Sequence, residues 1–118
     1  MHKSLKGLSF KSLEVFFLSP KLRSICENIK TMEKTLGREC AIQLKPLLFD
    51  FDAADYASEV LIFRQHAFVI HNGAPALLFP LHEDSALIAV NNSQLHEPST
   101  NWSNVYRLKI VSIGIYDE

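Results

Sequence analysis

The run Ala67-Phe68-Val69-Ile70-His71-Asn72-Gly73-Ala74-Pro75-Ala76-Leu77-Leu78-Phe79 constrains this chain more than any other segment. Two apolar stretches are separated by Asn72-Gly73, and Asn-Gly suits both positive-φ positions of a type I′ turn. A hairpin with a two-residue loop leaves no freedom in register. His71 must face Ala74, Ile70 must face Pro75, Phe68 must face Leu77, and His66 must face Phe79. Ile70–Pro75 falls at a non-hydrogen-bonded position, so the absent proline N–H faces away from this partner strand.

The register also sorts the faces. His66, Phe68, Ile70, Pro75, Leu77 and Phe79 share one side, and Ala67, Val69, His71, Ala74, Ala76 and Leu78 share the other. Both sides are apolar, one bulky and one small. A sheet with a solvated face should carry polar residues there. Two-sided burial is therefore expected, supplied most simply by a second copy of the chain, or else by a curved sheet that wraps its own core. The last strand gives the same impression: Leu108, Ile110 and Tyr116 lie on one parity, and Val111, Ile113 and Ile115 on the other.

Three histidines cluster near this hairpin, which raises the question of a metal. His66 and His71 are an odd number of residues apart, so their side chains leave opposite faces of the sheet. His82 lies eight residues past Ala74, roughly 26 Å along an extended strand. No shared site results, and His82-Glu83-Asp84 matches no recognised ligand spacing. Asp50, Asp52 and Asp55 resemble a calcium loop only superficially, because Ala54 takes a ligand position and the glycine and distal glutamate are missing. No metal site and no cofactor are expected.

Upstream, SPKLRSICENIKTMEKTLG (19–37) predicts a helix. Ser19 can cap it, Pro20 suits its first turn, and Gly37 can end it. Leu22, Ile25, Cys26, Ile29, Met32 and Leu36 recur at helical spacing. Before it, FKSLEVFFL (10–18) fits either a helix through Phe10, Leu13, Phe16 and Phe17 or a strand through Leu13, Val15 and Phe17. A helix running into the Ser19-Pro20 corner is the favoured expectation; a strand would begin a β-α-β unit. From residue 40 the pattern predicts strands at 41–44 and 47–51, interrupted at Pro46, then a short helical turn over 52–58 capped by Asp52. Further strands are expected at 60–63, 67–71, 76–79, 86–90 and 105–116.

The sum is a single α+β domain over 1–118, with N-terminal helices (within 9–37) packed on one face of a mostly antiparallel sheet of about five strands (within 40–116). This order loosely resembles the cone-shaped folds built like nuclear transport factor 2, a likeness of architecture without a motif.

Composition excludes more than it identifies. A chain of 118 residues, 47% apolar and 21% charged, can bury an unaided core. Its net charge of −1 offers nucleic acid no attractive field. Charge is nevertheless uneven: Lys3, Lys6, Lys11, Lys21 and Arg23 face only Glu14 within residues 1–23. Cys26 and Cys40 do not make a disulfide framework. No apolar run approaches the length of a membrane span, and Leu13–Leu18 is too short for a signal peptide, so the cytoplasm is the expected location. There is no nucleophile elbow, phosphate loop or zinc-finger spacing.

Two sets of site residues remain. The polar stretch 91–104 holds the only tryptophan, Trp102, with His96, Glu97 and Asn101 nearby; a loop of this length is uncommon in a compact domain unless functional or disordered, and Trp102 either anchors an interface or folds back to plug the core's edge. It points to a non-enzymatic binding or regulatory protein that engages a macromolecular partner as a homodimer. The alternative is a small-ligand protein or simple acid–base enzyme with a cavity between helices and sheet, using Asp50, Asp52, His66 and His82. In that case Asp50 and Asp52 would share a strand face.

Overall fold

The structure is a computed structural model, and it describes residues 13–92 and 101–116. The chain forms strand β1 (Glu14–Phe17), helices α1 (Pro20–Glu27), α2 (Ile29–Leu36), α3 (Arg38–Ala53) and α4 (Ala57–Phe63), and strands β2 (Ala67–His71), β3 (Ala74–Pro80) and β4 (Ser85–Asn91). A 3-10 turn (Trp102–Asn104) precedes strand β5 (Arg107–Ile115). The fold is α+β, with helices packed against an open sheet of order β1-β5-β4-β3-β2. All neighbours pair antiparallel except β1 with β5.

The hairpin is placed as its sequence requires. Asn72 and Gly73 both have positive φ, 50° and 82°, and His71↔Ala74, Ile70↔Pro75 and Phe68↔Leu77 are paired. Pro75 precedes the first β3–β4 pair, Ala76↔Val90, so its missing N–H interrupts no pairing with β4 either.

The helical segment 19–37 is two helices rather than one. Ser19 Oγ accepts the Leu22 N–H and Pro20 opens α1, while Gly37, at φ 88°, ends α2. The break is Asn28, extended at φ −129°, whose side chain accepts the Thr31 N–H at 3.1 Å and so starts α2 afresh. The bend lets both short helices turn a residue fully inward, Ile25 and Met32.

Several expectations are corrected. Residues 14–17 are a strand, not a helix: Val15 and Phe17 pack on the core while Glu14 and Phe16 alternate outward. β1 pairs in parallel with β5, at the far end of the chain, and not with the strand that follows the helices. The segments 41–44 and 47–51 are not strands but one helix, α3. Cys40, Ala41, Leu44, Leu47, Leu48 and Phe51 form a helical stripe that Pro46 disguises; the proline only deprives the Ile42 carbonyl of its usual intrahelical donor. Residues 60–63 likewise belong to α4, and Asp52 lies inside the end of α3 rather than capping a turn.

The main core lies between the helices and one sheet face. Leu44, Leu47 and Phe51 from α3 meet Leu77 and Phe79 of β3, Leu87 and Ala89 of β4, and Leu108 and Ile110 of β5. The Phe51 and Phe79 rings touch edge to face, centroids 5.5 Å apart. The mixed parity of β5 has a local cause. Ile88 pairs with Ser112 but Ala89 pairs with Ile110, so Val111 is an extra residue in a bulge. The bulge switches parity, letting Leu108, Ile110 and Ile113 all join the helix-side core. On the opposite face Ala76, Ala86 and Ile88 are buried among Val69, Leu78, Val90, Val111 and Tyr116. This second layer is closed within one chain, so it does not require a second copy.

Candidate functional site

The end of α4 and the start of β2 bring polar and apolar groups together at the sheet's edge. Arg64, just past the helix, donates from Nε to Asp50 Oδ2 on α3. His66 Nδ1 lies 2.7 Å from the Arg64 carbonyl oxygen, which can only accept, so that nitrogen carries the proton. The His66 ring meets Phe68 edge to face at 5.3 Å. Asp50, Arg64, His66 and Phe68 thus form a continuous line from helix layer to edge strand. Beside it lies a groove of roughly 320 Å³ with Ile42, Gln43, Pro46, Arg64, Gln65 and Pro80 in its walls.

The other acid–base candidates lie elsewhere. Asp52 sits two residues from Asp50 on a helix, about 200° around the axis, so the shared face expected of a strand does not form. It borders an apolar groove of roughly 340 Å³ with Cys26, Ile29, Met32, Lys45 and Phe49. Burial pushes the Cys26 thiol up to about 12, with the Glu27 carboxylate adding to the shift. His82 occupies the β3–β4 connection, its Nε2 3.2 Å from Glu83 Oε1, in a third groove with Cys40 and Asp84. The structure therefore joins Asp50 with His66 through Arg64 and leaves Asp52 and His82 apart from them.

From the polar loop, Asn101 accepts the Ser103 N–H at 3.2 Å and its hydroxyl at 2.6 Å, a local cap for the 3-10 turn. Trp102 is half-buried and packs on the helix-side core. The turn is tied to α4 by the Ala57 N–H, which donates to the Val105 carbonyl at 2.8 Å. His96 and Glu97 lie outside the described residues.

What the pattern of the sequence concealed is a set of exposed apolar side chains. Phe63 is 81% exposed, Ile62 72%, Phe49 73%, Ile70 67% and Phe68 63%. The signal was present in the helical stripe: once Leu44, Leu47 and Phe51 point inward, Ile42 and Phe49, seven residues apart, must share an outward face. The same holds in α4, where Ala57 and Val60 are buried and Ile62 and Phe63 are left outside.

Among the described residues, no three His, Cys, Asp or Glu side chains come together as metal ligands, and no helix is long and apolar enough to cross a membrane. No protein-family model, curated protein or solved structure matches this chain.

Proposed function

We propose that this protein is a non-enzymatic binding protein that engages another protein and acts as a homodimer. The observation supporting this is the stretch Ile62–Ile70, in which Ile62, Phe63, Phe68 and Ile70 all stand more than half exposed. Concentrated apolar exposure of this kind marks interaction surfaces, and aromatic side chains are their usual anchors. Arg64 and Gln65 supply a polar rim to the patch. The test is affinity capture from the native cell with the full chain as bait, against the same chain carrying Ile62→Ser and Phe63→Ser. Both side chains are exposed, so the variant keeps its fold. A protein held by the native bait and depleted at least about tenfold, or 1.4 kcal/mol, with the variant supports the reading. Identical capture by both baits, or none above background, refutes it.

The Asp50–Arg64–His66 line beside its groove favours a second reading, a small-ligand or acid–base site for a compact anion. Native mass spectrometry of gently purified protein decides it. A bound organic mass lost on His66→Ala and Arg64→Ala supports it, and an unliganded chain mass counts against it.

A further inference from the structure

We infer that β2 is the homodimer contact, pairing antiparallel with β2 of a second copy about a two-fold axis at Val69. The inference rests on the homodimer reading above and names its surface.

β2 is an edge strand among the described residues, and its own five residues carry none of the charges, prolines or bulges that commonly protect an edge. Ala67–His71 contains no lysine, no proline and no acidic residue, and its ladder with β3 runs unbroken through all five residues. The ladder also says which backbone groups are available. Next to a two-residue turn, His71↔Ala74 is a hydrogen-bonded pair, and such pairs alternate along the strand. Ala67, Val69 and His71 therefore direct their N–H and C=O groups to β3. Phe68 and Ile70 direct theirs outward, away from the sheet.

The two residues with outward backbone groups, Phe68 and Ile70, are also the large apolar residues of the strand that stand exposed. Pairing centred on Val69 sets Phe68 opposite the second copy's Ile70, and Ile70 opposite the second copy's Phe68. Every outward N–H and C=O within β2 then has a partner, and each Phe–Ile pair is of a type that stabilises sheets. A register centred on Phe68 would set Ile70 against His66, and one centred on Ile70 would set Phe68 against Asn72 of the turn. Both lose half of these hydrogen bonds within the strand. β2 holds no formal charge apart from any on His71, so its own copy presents no like-charge repulsion.

The axis stands perpendicular to the sheet. Both helix layers stay on one side, and the Phe–Ile pairs fill the trough between them. A five-residue edge contact buries well under the roughly 800 Å² per partner of a standard interface, which sets the dimer in the weak, micromolar class.

Sedimentation velocity from about 5 to about 500 μM should show a monomer converting to a dimer. Ile70→Lys should remain monomeric throughout, with unchanged circular dichroism because Ile70 is already exposed. Register is tested by cross-linking. Facing Val69 residues would form a non-hydrogen-bonded pair with Cα atoms about 4.5 Å apart, within disulfide reach. Val69→Cys should therefore give an inter-chain disulfide under mild oxidation. Ile70→Cys should not, because its twin would lie two residues off along the strand, and the native chain with Cys26 and Cys40 is the control. A dimer that survives Ile70→Lys and leaves Val69→Cys unlinked overturns the β2 contact while keeping the homodimer. A monomer at every concentration overturns both. If that monomer still captures another protein through β2, the edge accepts a foreign strand instead.

Discussion

Phe49 and Phe51 are two residues apart in α3, one 73% exposed and the other 1%. On a strand, residues two apart share a face; on a helix they diverge by about 200°. Truncating each to alanine therefore separates the two structures of this segment. Phe51 is enclosed by Leu44, Leu47 and Phe79 in the main core. An aromatic ring of its kind buries about 200 Å² at 25 cal/mol per Å², about 5 kcal/mol before relaxation. Phe51→Ala should cost about 3–5 kcal/mol, a large share of the 5–15 kcal/mol typical of a domain. Phe49→Ala should cost no more than about 0.5 kcal/mol. The edge-to-face contact with Phe79, at 74°, adds a pairwise test. A cycle of Phe51→Leu and Phe79→Leu should show a coupling of about 0.5–1.5 kcal/mol. Urea unfolding followed by Trp102 fluorescence reads all of these, since the single tryptophan packs on that core. Comparable losses at 49 and 51, or strict additivity at 51 and 79, would refute docking of α3 on β3.

Other perturbations test local features. Asn28→Ala replaces a residue poor in helices by the best helix former, which would stabilise one continuous helix; because Asn28 caps α2, a loss of about 1 kcal/mol is expected in thermal unfolding. Gly73→Ala meets open space but must hold φ 82°, so about 1 kcal/mol of stability should be lost, read as a lower urea midpoint. Cys26 is an acid whose folded value, about 12, lies above its ordinary 9.0, so the folded state binds more protons between those limits. Its contribution is complete below pH 9 and disappears as pH rises towards 12. Alkaline titration of stability should fall more steeply for the native chain than for Cys26→Ala, and the Cys26 thiol should react slowly at neutral pH.

The candidate site is only half legible in the sequence. His66 was identifiable as a residue at the open end of the hairpin, but its link to Asp50 through Arg64 required α3 and α4 to lie side by side. Asp50 and Asp52 share a face only on a strand, and α3 separates them. Trp102 was conspicuous by its rarity, yet its half-buried place against the core depends on the 3-10 turn and on the Ala57–Val105 hydrogen bond. The exposure of Ile62, Phe63 and Phe49 is not legible in the sequence, because an apolar run matches core until the period that sorts it is fixed.

By itself the sequence determined what two or three adjacent residues can impose on the backbone. Asn72-Gly73 specified the turn and with it the β2–β3 register, Ser19-Pro20 began a helix, and Gly37 ended one. Each is a short-range steric or hydrogen-bonding preference, independent of the rest of the chain. Tertiary structure decided where a short apolar run fits several periods equally well. Residues 14–17 became a strand because β5 offers them a parallel ladder, reinforced by Arg107 Nε donating to Glu14 Oε1 at 2.9 Å across 93 residues of sequence. Residues 38–53 became a helix because only that geometry gathers Leu44, Leu47 and Phe51 onto the sheet. The bulge at Val111 reversed the parity of the last strand for the same reason: burial against a distant partner outweighs a local pattern that alone is ambiguous.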